Sequence, residues 1–248
     1  MAQPTSTRLH PIVALRALRA LKRNGEDTRQ AVLLIDALRG KSSLRQFARF
    51  RRTETGRAVL AERRQLLDRL CDHERLAELP LGTLGRTYHE FMRSENLTAE
   101  GLVEASRIRQ TLPADDGYTL FRERSRETHD LLHVVTGYGR DPLGEGCVTA
   151  FSFAQSGLKG FAVIAIWVAR RLSRRLRGEP VRRAVLEAYL HGRRAEWLYG
   201  ADWENLLAEP VESIRVRYRI APATHYPKVL SAVRSRQAAK HPAAPVAV

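Results

Sequence analysis

Apolar residues recur along this chain at steps of three and four, the spacing of one helix face, and almost nowhere alternate as a half-buried strand requires. Val13, Leu15, Leu18 and Leu21, with basic residues between them, predict a first amphipathic helix. Ala31 to Leu38 continues the pattern after a turn at Asn24-Gly25. Val59, Leu60, Leu66, Leu67 and Leu70 predict a helix over 56–71, and another follows the Pro80 and Gly82 break from Thr83 to Met92. Thr98 stands as the cap of a short helix through Ser106. Beyond the punctuation at Asp115 to Gly117, residues 120–136 read as helix. Residues 142–176 read as a long, largely apolar helix interrupted at Gly157 or Gly160, and 180–199 as another. There is no internal repeat. The pattern predicts an all-α fold, a single domain over 1–238 with a disordered tail at 239–248.

One stretch departs from amphipathic spacing. GFAVIAIWVAR, Gly160 to Arg170, is apolar on every side, so something must cover it. It is either a central core helix or, with Phe151, Phe153, Phe161, Ile164 and Trp167, the lining of a channel for a long apolar tail. Lys159 and Arg170 bound it too closely for a membrane crossing, which needs about 20 apolar residues.

Composition narrows the class. The 248 residues are 44% hydrophobic, enough for one substantial core, and Cys71 and Cys147 form neither a disulfide framework nor a paired zinc motif. The N-terminal 25 residues lack the unbroken apolar run of a secretory signal, because Arg16, Arg19 and Lys22 interrupt it; the acid-poor segment fits a first helix or a basic targeting presequence equally well. A formal net charge of +15 calls for an anionic partner, and RRLSRRLR, Arg170 to Arg177, sets a dense cationic cluster at the end of the greasiest segment. Anionic lipid head groups suit that pairing. Specific nucleic-acid binding is not expected, since no helix-turn-helix, zinc-finger or aromatic-basic pattern is present.

The chemistry concentrates in RETHDLLHVVTGYGRDPLGE, Arg126 to Glu145. His129 and His133 are one helical turn apart and project from one face. Asp141-Pro142 reads as a cap and first-turn proline, so Glu145 opens a second helix and the site is a bracket between two central helices. Two imidazoles with one or two carboxylates suit Zn²⁺, Fe²⁺ or Mn²⁺, zinc foremost, and leave room for substrate. Asp130 is a fourth candidate, although adjacent helical residues diverge by about 100°. Glu127 and Arg126 are candidates for orienting the ligands or pairing a carboxylate, or else an exposed charge pair.

The spacing His-Asp, two residues, His, eleven residues, Glu resembles the signature of the coenzyme Q biosynthesis protein 4 family, and His129, Asp130, His133 and Glu145 fill all four places. LPLGTLGRTYHEFM at 79–92 and ADWENLLAEPVESIR at 201–215 resemble its flanking segments, so the likeness spans 75–220. The resemblance implies a metal-dependent lyase or oxidative decarboxylase that removes the ring-carbon-1 carboxylate of a prenylated 4-hydroxybenzoate-type precursor of ubiquinone, where a hydroxyl can follow. Its expected setting is cytoplasmic, peripheral on the inner face of a bacterial membrane, or the matrix side in a mitochondrion. Expected partners are the prenylated benzoate or quinone precursor, an anionic membrane surface, other ubiquinone biosynthesis proteins and a second copy of the chain in a homodimer. Two alternatives remain open at this point. One is a non-catalytic lipid-binding scaffold. The other is a His-Asp phosphohydrolase, which would draw on His89 and Asp202 but leave His133 and Glu145 without a role.

Overall fold

A computed structural model describes residues 8–24, 27–94 and 117–240, and among them every regular element is helical, with one isolated bridge between Thr83 and Pro210. The helices are α1 (Pro11–Arg23), α2 (Thr28–Ala37), α3 (Ser42–Phe50), α4 (Glu54–Glu62), α5 (Leu66–Leu70), α6 (His73–Glu78) and α7 (Leu84–Ser94). There follow α8 (Gly117–Thr136), α9 (Pro142–Ser156), α10 (Lys159–Arg175), α11 (Val181–Arg194), a 3₁₀ turn (Leu198–Gly200), α12 (Trp203–Leu206), α13 (Val211–Arg217) and α14 (His225–Lys240). The fold is all-α, as the periodicity requires.

The main core lies between α8, α9 and α11, where Leu131, Val135, Cys147, Phe151, Ala184 and Ala188 are all fully buried. Small residues set how closely these helices approach. A Cβ on Gly192 would fall 2.7 Å from the Phe151 carbonyl oxygen, so α11 lies against the backbone of α9 itself. On the other side of the molecule α1 and α2 form a hairpin that closes over α10. Ala14, Ala17, Leu21 and Leu34 meet Ile164 and Val168 there, and a Cβ on Gly160 would reach 2.4 Å from the Ile35 Cα.

Several predicted boundaries shift for local reasons. Residues 56–71 form two helices, because Arg63 adopts a left-handed conformation (φ 51°) that ends α4. The break in 142–176 falls at Gly157, which caps α9 at φ 67°, rather than at Gly160. The helix over 180–199 ends at Arg194, and the last helix runs through Ala239 and Lys240, two positions expected in the tail. The expected helix from Thr98 to Ser106 and the rest of the tail lie outside the described residues.

Two apolar expectations are corrected. The stripe Val13, Leu15, Leu18, Leu21 faces inward only in its second half: Leu21 is buried and Leu18 packs beside it, whereas Val13 and Leu15 are 43% and 47% exposed and Ala14 and Ala17 complete the inward face. Nor do Phe151, Phe153, Phe161, Ile164 and Trp167 line one channel. Phe151 is sealed in the main core, Phe153 stacks on Tyr189, and Ile164 and Trp167 pack in the separate cluster under the hairpin. Phe161 is half-buried early in α10, while Ile166 reaches solvent, so the apolar run is not covered on every side.

A buried ion pair ties α8 to the chain beyond α11. The two terminal guanidinium nitrogens of Arg124, Nη1 and Nη2, donate to the Glu204 carboxylate at 2.6 and 2.7 Å, and Nη2 also donates to the Ala201 carbonyl at 3.0 Å. Burial alone would raise the Glu204 pKa, but the Arg124 hydrogen bonds and charge outweigh it and hold the carboxyl below its ordinary 4.5. The contribution of a depressed acid is complete above its unfolded pKa and is lost as pH falls through the folded value. Arg124→Met, which strands a buried carboxylate, is expected to lower stability by about 3–5 kcal/mol in urea melts at pH 7. The deficit relative to the parent should shrink as pH drops below about 4.5, where the pair weakens in the parent as well.

Candidate metal centre

The site forms at the corner between α8 and α9. Gly137, at φ 74°, ends α8, and the Asp141 side chain caps α9 by accepting from the Leu143 and Gly144 amides at 3.0 and 3.2 Å. The two helix ends approach within the corner so closely that a Cβ on Gly144 would stand 1.9 Å from the Gly139 carbonyl oxygen. Tyr226, from α14, clamps the corner: its hydroxyl donates to Asp141 Oδ2 and accepts from the Gly139 amide at 2.8 Å. Arg215, from α13, donates to the Val135 carbonyl at 2.8 Å and the Val134 carbonyl at 3.2 Å, closing the end of α8. Glu145 is thereby placed in the first turn of α9, facing the two histidines.

The three side chains converge. His129 Nε2 and His133 Nε2 are 3.3 Å apart, His129 Nε2 lies 3.5 Å from Glu145 Oε2, and His133 Nε2 lies 3.6 Å from Glu145 Oε1. Four ligands set tetrahedrally at about 2.0–2.1 Å from an ion are about 3.4 Å from one another, so the triangle has the dimensions of three corners of such a shell. The protonation pattern agrees. His133 Nδ1 lies 2.8 Å from the Tyr138 carbonyl oxygen, which can only accept, so this nitrogen carries the proton and Nε2 of the neutral ring presents its lone pair to the cluster.

His133 is buried, its ring stacked at 5.7 Å on Phe91 from α7, whereas His129 and Glu145 keep 26% and 35% of their side chains exposed. The triangle is therefore rigid at one corner and open at the other two. Burial opposes charge on both Glu145 and His133, but their mutual contact prevails. The histidines hold the Glu145 carboxyl well below the usual carboxylate range, and Glu145 raises the His133 pKa against burial. Arg140, in the corner, brings Nε to 3.9 Å from Glu145 Oε1.

Not every predicted residue joins. Among the described residues the convergent group is His129, His133 and Glu145, whose ligand atoms lie within 4.8 Å of one another; Asp130 is not in it. The reason is the helical one: successive side chains diverge by about 100°, and Asp130 acts on Tyr88 and on His133 only through its charge. Glu127 is not an exposed charge. Burial, with Glu123 nearby, pushes its pKa up to about 7, while Arg126 points to solvent. His89 lies against His73 with ring centroids 5.8 Å apart and Asp202 pairs with Arg64 at 3.4 Å; among the described residues neither joins the convergent group, as a His-Asp phosphohydrolase would require. Sequence reasoning missed Tyr226, Arg215 and the Arg124–Glu204 pair, whose hydrogen bonds join residues 80 or 87 positions apart.

A sequence model described as "Coenzyme Q (ubiquinone) biosynthesis protein Coq4" matches residues 13–224. The chain belongs to this family. The match begins well before residue 75, so the first helices, which the motifs did not reach, are part of the shared domain. Among similar curated proteins, the ubiquinone biosynthesis protein COQ4 homolog, mitochondrial, of Anopheles gambiae is 29% identical over 73% of this chain and 63% of its own length. Ubiquinone biosynthesis protein coq4, mitochondrial, of Schizosaccharomyces japonicus is 30% identical over 68% of this chain and 70% of its own. The chain spans between 50% and 63% of the first two relatives it matches. The crystal structure of a putative ubiquinone biosynthesis protein from Nostoc punctiforme shares the fold, with TM-score 0.62 and 22% identity over 86% of this chain and 99% of that one.

Zinc added to chelator-treated protein is expected to raise its melting temperature. His129→Ala, at a partly exposed position, and Glu145→Gln should abolish most of that rise and the bound zinc measured by mass spectrometry, whereas Asp130→Asn should retain both.

Proposed function

We propose that the protein takes part in ubiquinone biosynthesis as a metal-dependent decarboxylase acting at ring carbon 1 of a prenylated 4-hydroxybenzoate-type precursor. The observation that carries this reading is the convergence of three ligand atoms at 3.3–3.6 Å in a chain of this family. His129, His133 and Glu145 would hold a divalent ion, zinc, iron or manganese, which supplies Lewis-acid stabilisation of the substrate's oxygens and, for a redox metal, access to dioxygen chemistry.

The residues around the cluster divide the remaining work. His133 is fixed by the Tyr138 carbonyl and the Phe91 ring, so it positions rather than moves. The exposed edges of His129 and Glu145 are where a substrate carboxylate and phenolic oxygen would enter. Arg140 would pair with that carboxylate, since its nearest anion, Glu145, is only loosely engaged at 3.9 Å. Phe91 offers an apolar wall for the ring. Loss of carbon dioxide leaves the bonding pair on the ring carbon, which takes up a proton in the simple reaction or receives a hydroxyl, with dioxygen as oxidant, in the oxidative one.

The family resemblance also supports the other parts of this reading: a prenylated substrate, action at a membrane surface, contact with other ubiquinone biosynthesis proteins, and a homodimer. The test is complementation joined to turnover. In cells lacking the corresponding gene, His129→Ala and Glu145→Gln should be produced at normal levels and fail to restore ubiquinone. Metal-loaded protein should release labelled carbon dioxide from a carboxyl-labelled prenyl-hydroxybenzoate, and dependence on oxygen separates the oxidative from the simple reaction. Full restoration by both variants would leave the scaffold reading in its place.

A further inference from the structure

The first helix carries apolar side chains on its outward face as well as its inward one. Facing α2 and α10 it buries Ala14, Ala17 and Leu21, while Ile12, Val13 and Leu15 stand 67%, 43% and 47% exposed. At about 100° per residue, Ile12 and Leu15 share an outward arc of about 120° with Arg16, Arg19, Lys22 and Arg23. Helix α1 contains no acidic residue, and none of these four cations has an ion-pair partner among the described residues. The neighbouring α2 adds Val32 and Leu33, 38% and 47% exposed, and Arg29, also exposed. A helix that buries Ala14, Ala17 and Leu21 yet leaves Ile12 and Leu15 outward among arginines directs large apolar side chains at something outside the domain.

The occupant follows from the charge. The core of a protein interface is enriched in aromatic side chains and depleted of lysine, whereas this arc has no aromatic residue, and aliphatic side chains alternate with four cations on it. A nucleic-acid backbone would accept the arginines and leave Ile12 and Leu15 without a place. At a lipid surface both fit: the apolar side chains sink into the acyl boundary while the long basic side chains reach back to phosphate. We infer that the α1–α2 hairpin docks the protein onto an anionic lipid bilayer, lying in its interface with Ile12 and Leu15 inserted and Arg16, Arg19, Lys22 and Arg23 on the head groups. The Arg170 to Arg177 cluster singled out in the sequence begins on α10, the helix against which this hairpin packs. The hairpin surface gives the membrane setting of the proposed function a definite face, and it stands or falls without reference to the metal.

The test is co-sedimentation of the full chain with vesicles of phosphatidylcholine alone and of phosphatidylcholine mixed with phosphatidylglycerol, at low and high salt. Binding should require the anionic lipid and weaken with salt. Arg16→Glu with Arg19→Glu should reduce partitioning more than about tenfold, and Ile12→Ser with Leu15→Ser should reduce it while leaving the salt dependence in place. Arg193→Glu with Arg194→Glu, an equal charge change at exposed positions on α11, should bind as the parent does, and so should His129→Ala, whose failure in turnover would concern the metal alone. Unchanged helicity and melting temperature establish that the hairpin variants fold. Equal binding to neutral vesicles, or unchanged binding by both hairpin variants, overturns the proposal. So does a loss confined to self-association in lipid-free light scattering, which would assign the face to a second copy of the chain.

Discussion

Lone pairs repel one another, and this site gathers three acceptors, two imidazole nitrogens and a carboxylate, within 3.6 Å. Such a cluster needs a cation, whether a proton or a metal ion, at its centre, and it needs a backbone stiff enough to resist splaying apart. Much of the surrounding structure serves the second requirement. The Tyr138 carbonyl fixes the His133 tautomer, and the Gly139–Gly144 approach is so tight that it admits no side chain at residue 144. Tyr226 ties the corner to α14, and Arg215 ties the end of α8 to α13.

Farther along α8, the Arg124–Glu204 pair anchors the helix some distance from the ligands. A buried pair of this kind contributes little net stability compared with an apolar replacement of the same shape, because both charges lose their hydration. Its value lies in geometry: two parallel hydrogen bonds allow one orientation of α8 against the Trp203 segment. The site is thus supported at the corner by α13 and α14 and along its helix by the chain after α11, three segments that all follow it in sequence.

The hairpin α1–α2 belongs to a different physical regime. It covers α10 with small residues and leaves larger apolar and basic side chains outside, so it adds modest burial to the fold and a distinctive surface to the molecule. The rigid corner opens to solvent on the His129 and Glu145 side, and the N-terminal hairpin sets exposed apolar side chains among basic ones. No helix among the described residues is long and apolar enough to cross a membrane.

The sequence by itself determined the helical class, the two central helices with Asp141 capping the second, and the candidacy of His129, His133 and Glu145. Each is a local matter: periodicity, cap chemistry and one-turn spacing are written within a few residues. The family likeness was also legible there, though only from residue 75 onward, because the motifs that carry it are clustered. Tertiary structure decided the rest. Glu145 meets His129 across a corner whose closure depends on Tyr226 and Arg215, and Asp130 lies outside the convergent group because the rotation of α8 is set by packing against α5, α7 and α9. Of the five residues expected to line a channel, Phe151 lies in one core and Ile164 and Trp167 in another, with Phe153 and Phe161 in neither, and the inward face of α1 takes Ala14 and Ala17 in place of Val13 and Leu15. In each case the outcome depends on which distant segment packs against a helix, and spacing along the chain does not encode that.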